Sequence, residues 1–88
     1  MPVISFVQPK GGAGKSTAAL VLATELAKGS KVTLIDADPN RPMVKWQKRG
    51  GEAANLTIVE NDDEVALLDD IRAAAQTTPF VLVDLEGT

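Results

Sequence analysis

Apolar residues occur in short blocks separated by glycine, proline and acidic punctuation. Val3-Ile4-Ser5-Phe6-Val7 is a β-branched run that leads into a glycine-rich turn, the pattern of a buried strand. From about Lys15 to Lys28 the apolar positions Ala18, Ala19, Leu20, Val21, Leu22, Ala23, Leu26 and Ala27 cover a wide arc. That arc predicts a helix lying on a sheet, ending at Gly29. Val32-Thr33-Leu34-Ile35 predicts a second strand ending at Asp36, and Pro42 suits the first turn of a short helix that fades by Gly50-Gly51. Leu56-Thr57-Ile58-Val59 predicts a third strand. Asn61, with Glu64 three residues later, has the spacing of a capping box, and Val65, Leu68, Ile71 and Ala75 then recur at helical spacing. Thr77-Thr78-Pro79 stops that helix, and Phe80-Val81-Leu82-Val83 predicts a fourth strand ending at Asp84. Strands alternating with helices imply βαβ units, right-handed crossovers and a parallel sheet. The predicted class is therefore α/β, with about four strands and three helices flanking the sheet.

Composition narrows what such a fold could do. The 88 residues allow at most one domain, with a thin core built from Val, Ile, Leu and Ala because aromatics are only 3%. There is no Cys and no His, which removes disulfides, thiolate metal sites, iron–sulfur clusters and histidine base chemistry. The formal charge of −3 supplies no general attraction to nucleic acid or an acidic membrane. No apolar run approaches the roughly 20 residues of a membrane span, and no leader opens the chain, so a cytoplasmic location with no membrane contact is expected.

The chemistry starts at Pro9-Lys10-Gly11-Gly12-Ala13-Gly14-Lys15-Ser16-Thr17, between the first strand and the first helix. Glycines let the backbone approach a ligand, and successive N–H groups at a helix start make a nest for phosphate. Gly11, Gly12, Ala13, Gly14, Lys15, Ser16 and Thr17 are thus the candidate nucleotide-binding residues. Lys15 can reach the β- and γ-phosphates, and the Ser16 hydroxyl can ligate Mg²⁺. The general pattern G-x-x-x-x-G-K-[ST] requires Gly at position 9, where this chain has Pro9. A dinucleotide fingerprint fits less well, because Thr17 stands where its third glycine belongs.

Ligands in open α/β sheets bind beyond the carboxyl ends of the strands, where Asp36 and Asp84 are expected, with Asp38 two residues further on. Asp84 follows four apolar residues and would hold Mg²⁺ through a water. One aspartate at a strand end commonly just begins a turn. Three converging on one phosphate loop argue against that reading.

Lys10-Gly11-Gly12-Ala13-Gly14-Lys15-Ser16 resembles the deviant Walker A box, K-G-G-x-G-K-[ST], of the ParA/MinD family of P-loop ATPases. In that family the glycine pair lies at positions matching Gly11 and Gly12, which accommodates Pro9. The resemblance implies that Lys10 is the signature lysine, reaching across a dimer to the phosphates bound by the sister subunit. It implies further that Asp38, within the D-x-D-P segment Asp36-Ala37-Asp38-Pro39, helps position the attacking water, and that Asp36 supports the metal site. Lys10, Lys15 and Asp38 are then the expected catalytic residues, and Ser16, Asp36 and Asp84 the metal residues. The run through Asn40-Arg41-Pro42 to Trp46 is similar to the partition-like ATPases that assist T-DNA transfer, more than to chromosomal ParA. ParA-type chains continue after the aspartate matching Asp84 with Thr and Pro, whereas this chain has Leu85-Glu86-Gly87. Glu86 is read as an exposed turn carboxylate, with a water-orienting role as the alternative.

The resemblance covers nearly the whole chain but only the front third to half of a family member. Residues 1–88 are accordingly expected to be the N-terminal portion of a single P-loop ATPase domain, a fragment that is inactive or a poor ATPase alone. The implied function is an ATP- and Mg²⁺-dependent homodimerisation switch of ParA type, serving plasmid or chromosome partition or the positioning of DNA cargo. Non-specific DNA and an adaptor protein are partners implied by the resemblance only. Two alternatives stay open: a nucleotide-binding regulatory module that does not hydrolyse ATP, and a MinD-like membrane-associated positioning ATPase. Arg41, Lys45, Lys48 and Arg49 around Trp46 could contact nucleic acid, but a Trp on the sheet with snorkelling basic neighbours is the simpler reading. The acidic residues Asp62, Asp63, Glu64, Asp69 and Asp70 read as a helix cap and a solvated face.

Overall fold

The structure, a computed structural model, describes residues 3–8 and 15–86. Its elements alternate strictly: β1 (Val3–Gln8), α1 (Lys15–Leu26), β2 (Val32–Asp36), α2 (Pro42–Lys48), β3 (Leu56–Glu60), α3 (Glu64–Thr77) and β4 (Phe80–Glu86). The four strands form one parallel sheet in the order β1-β4-β2-β3. This is the expected α/β fold. From β1 to β2 to β3 the chain moves one way across the sheet, and from β3 to β4 it returns. Right-handed crossovers therefore put α1 and α2 on one face and α3 on the other.

Two cores follow from this layering. Ala19, Ala23, Ala27 and Met43 pack on Val32, Leu34 and Leu82 on the α1/α2 face. Ala74 packs on Ile35, Val81 and Val83 on the α3 face, with Leu67, Ile71 and Ala75 half-buried around it. Thr33 and Thr78 share a buried Oγ–Oγ hydrogen bond of 2.8 Å, which fastens the end of α3 to β2. Among the described residues no helix is long and apolar enough to cross a membrane.

The wide apolar arc of α1 lies on the sheet as expected: Ala19, Ala23 and Ala27 are buried, and Leu20, Leu22 and Leu26 are half-buried against the same core, with Val21 exposed. Three expectations need correction. The inner stripe of α3 is Leu67, Ile71, Ala74 and Ala75, while Val65 is 85% and Leu68 53% exposed. Val65 and Leu67 lie about 200° apart round a helix, so Val65 faces away from the sheet. The cap is Asp63, whose Oδ1 accepts from the Val65 amide at 2.9 Å, not Asn61. Finally, β4 runs on through Leu85 and Glu86, which pair with Val7 and Gln8 of β1, so Glu86 belongs to a strand and not to a turn.

Candidate functional site

Placing β4 between β1 and β2 gives the site its frame. Asp84 is in register with Phe6 on one side and Asp36 on the other, at the carboxyl half of the sheet. Side chains alternate along a strand, so Asp36 shares the α1/α2 face with Val32 and Leu34, and Asp84 shares it with Leu82. Both aspartates are fully buried. β1 finishes at this same end of the sheet, and the segment joining it to α1 follows in sequence. Lys10, Gly11, Gly12, Ala13 and Gly14 within it lie outside the described residues. Lys15 and Ser16 open α1, and Thr17 follows them on its exposed surface.

Asp36 holds up the next helix. Its Oδ2 accepts hydrogen bonds from the amides of Met43 at 3.0 Å and Val44 at 3.1 Å. Pro42 at the first helical position has no N–H, and Arg41 at the cap position makes no side-chain cap. The first donors of α2 therefore find their acceptor on β2. Its Oδ1 is buried and has no hydrogen-bond partner among the described residues. Burial raises the Asp36 pKa, and the negative charge of Asp84 raises it further; the Val44 and Met43 amides pull it down without reversing the shift. A buried carboxylate oxygen without a donor, beside a second buried carboxylate, suits a hard divalent cation such as Mg²⁺. Among the described residues no three acidic side chains gather into a complete ion cage. Such an ion would draw its remaining oxygens from elsewhere, as nucleotide-bound Mg²⁺ does.

Asp38 is also buried, in the turn that leaves β2. Its Oδ1 accepts from the Asn40 amide at 2.9 Å and its carbonyl accepts from the Arg41 amide at 2.9 Å, which together close the turn. The structure thus brings Asp36, Asp38 and Asp84 to one end of the sheet.

Two further residues shape this region and were not foreseen in these roles. Arg41 adopts a left-handed backbone conformation, φ 51° and ψ 52°. Its guanidinium folds back to donate to the carbonyls of Asp36 and Asp38 and pairs with Asp62 in the β3–α3 loop. Asn61 is buried; its amide donates to the Asp36 carbonyl at 3.1 Å and its Nδ2 to Asp70 Oδ2 at 2.6 Å. The pairing of Arg41 with Asp62 and the bond from Asn61 to Asp36 join residues in separate elements and leave no local signal.

The basic cluster on α2 divides. Arg41 is turned inward, whereas Lys45, Lys48 and Arg49 are exposed. Trp46 is half-buried with its indole against Gly51, and the residue that α2 buries in the core is Met43.

Residues 1–87 match the family model described as VirC1 protein. The chain is 44% identical over 88 residues to a protein named ParA from Rhizobium radiobacter, covering 99% of this chain and 40% of that protein. It is 36% identical over 93 residues to protein virC1 of Rhizobium radiobacter, again 99% of this chain and 40% of the relative. A third relative, maintenance of carboxysome distribution protein A of Gloeobacter kilaueensis, is 36% identical over 70 residues, covering 80% of this chain and 32% of its own length. The chain thus spans about two fifths or less of these relatives.

Proposed function

The chain belongs to the VirC1 family, among the ParA/MinD-type partition ATPases, and from that premise we propose that it is the N-terminal, nucleotide-binding part of an ATP-driven dimerisation switch. The switch positions DNA or a comparable cargo in the cytoplasm. The observation that carries the reading is the register match of Asp36 and Asp84. It sets two buried carboxylates side by side at the sheet end where β1 finishes, and the Lys10–Ser16 loop follows β1 in sequence.

In this reading the loop amides and Lys15 hold the phosphates, and Thr17 lies at the edge of the nucleotide site. Ser16, Asp36 and Asp84 would hold Mg²⁺, which when bound offsets phosphate charge. Asp38 orients the attacking water. Lys10 offers a cation to the phosphates of the sister subunit, as an arginine finger does. Hydrolysis ends the dimer. DNA and an adaptor protein are the partners proposed for the full-length protein; the names of the relatives, ParA and carboxysome distribution protein, support a positioning role.

The test separates Lys10 from Asp38. In the full-length protein, Lys10→Ala should bind ATP as a monomer, since Lys15 and the loop amides remain, yet neither dimerise nor hydrolyse. Asp38→Ala should bind and dimerise but hydrolyse poorly, so that the dimer accumulates. Size-exclusion chromatography with light scattering, run with ATP and Mg²⁺ beside a phosphate-release assay, reads both quantities. A Lys10→Ala protein that dimerises and turns over normally rejects the switch, and a parent that binds ATP without turnover identifies a regulatory module instead. Lys15→Ala should abolish binding of a fluorescent ATP analogue.

A further inference from the structure

Arg41 combines three features that seldom meet in one residue. Its backbone is left-handed at φ 51°, a region costly for any residue with a Cβ. Its side chain is only 18% exposed, although arginine usually keeps its head in water. Its guanidinium is shared among the Asp36 carbonyl, the Asp38 carbonyl at 3.2 Å and the Asp62 carboxylate. The Asp62 side chain is 85% exposed, and an ion pair so open to solvent contributes little by itself. The two carbonyls account for the burial. They belong to Asp36 and Asp38, two buried residues of the candidate site.

We propose that Arg41 is the positioning residue of this site: its guanidinium clamps the Asp36–Asp38 segment to the β3–α3 loop and so holds Asp38 where it can orient the attacking water. The proposal rests on the ATPase reading for its consequence in turnover and on geometry alone for the clamp. Arg41 does not touch substrate; it acts through the backbone that carries Asp36 and Asp38. The same anchor is reinforced by Asn61, whose amide shares the Asp36 carbonyl, and through Asn61 by Asp70 on α3. A lysine cannot replace this clamp. An ammonium is a single point of donation, whereas the planar fork of arginine reaches separate acceptors at once.

The experiment compares Arg41→Lys, Asp62→Asn and the double variant with the parent in the full-length protein. Arg41→Lys should lower ATP turnover by about tenfold or more, the loss of hydrogen bonds made by a charged donor. Affinity for a fluorescent ATP analogue should stay within about threefold, since the phosphate-binding groups are untouched. Asp62→Asn should reduce turnover less, and the double variant should be no worse than Arg41→Lys, because both changes break one clamp. Amide hydrogen exchange supplies a readout independent of turnover. The amides of Met43, Val44 and Asn61, which donate to Asp36, should exchange faster in Arg41→Lys. Turnover within about twofold of the parent, or unchanged exchange at those three amides, overturns the proposal. A fall in affinity equal to the fall in turnover also overturns it, because that pattern marks a general structural role. If the parent itself hydrolyses no ATP, the ATPase reading fails and the exchange measurement alone decides the clamp.

Discussion

At Asp36 one carboxylate oxygen caps α2 while the other lies buried with no donor among the described residues. The two halves of the side chain can be tested apart. Asp36→Ala removes the acceptor for two helix amides and should cost about 1–2 kcal/mol, as the loss of a helix cap does. Asp36→Asn keeps one oxygen that can accept from those amides and removes a charge that burial and Asp84 both disfavour. It should match or exceed the parent in stability, within about 0.5 kcal/mol of it if lower. Urea unfolding of both variants checks this, and an Asn variant as weak as the Ala variant would show that the charge, not the acceptor, supports α2. Asp36 was legible as a strand-end carboxylate. Its second task was not, because the helix amides it caps belong to a turn whose path depends on Arg41.

Helix α2 shows how an element ends. The Gly50 amide donates to the Gln47 carbonyl at 3.1 Å and the Gly51 amide to the Trp46 carbonyl at 3.0 Å, a Schellman arrangement with Gly50 at φ 94°. The two glycines do different things. Gly50 supplies the positive φ, while a Cβ on Gly51 would come within 2.2–2.7 Å of the Trp46 indole. Gly51→Ala should therefore cost about 1–3 kcal/mol through overpacking, and Trp46→Leu should largely abolish that cost. A double-mutant cycle by thermal unfolding measures the coupling; equal costs in both backgrounds would mean the indole moves aside freely. Helix α3 carries a second lesson. Its stripe Val65-Leu68-Ile71-Ala75 and the observed Leu67-Ile71-Ala74-Ala75 both satisfy helical spacing, so periodicity could not choose between them. Asn61, bonded to Asp36 and Asp70 at the helix entrance, brings Asp70 toward the sheet and turns Val65 away from it.

Across the whole molecule, the last strand in sequence is an inner strand in space. β4 lies between β1 and β2, and Leu82 on it is fully buried, whereas Leu56 on the edge strand β3 is half-buried. Leu82→Ala should cost about 2–5 kcal/mol, a large part of the roughly 5–15 kcal/mol that holds a domain together. Leu56→Ala should cost clearly less, because its site already opens to solvent. Equilibrium unfolding in urea ranks the two, and equal losses would argue that β3 is as integral to the sheet as β4. The same placement makes the site: without the pairing of β4 with β2, Asp84 and Asp36 would not be neighbours.

Alternation of apolar blocks, the glycine-rich loop and the positions of three aspartates were sufficient to determine the element order, the α/β class and the residues to suspect. Each of these is local, a matter of side-chain period, backbone permissiveness and charge within a few residues. Strand order, the rotation of α3, the continuation of β4 through Glu86 and the inward turn of Arg41 were settled only by tertiary structure. Each depends on contacts between segments distant in sequence, where a strand or helix satisfies its own local pattern equally well in several placements. The carbonyl of Asp36 is the clearest instance, since the Asn61 amide that reaches it lies 25 residues further along the chain.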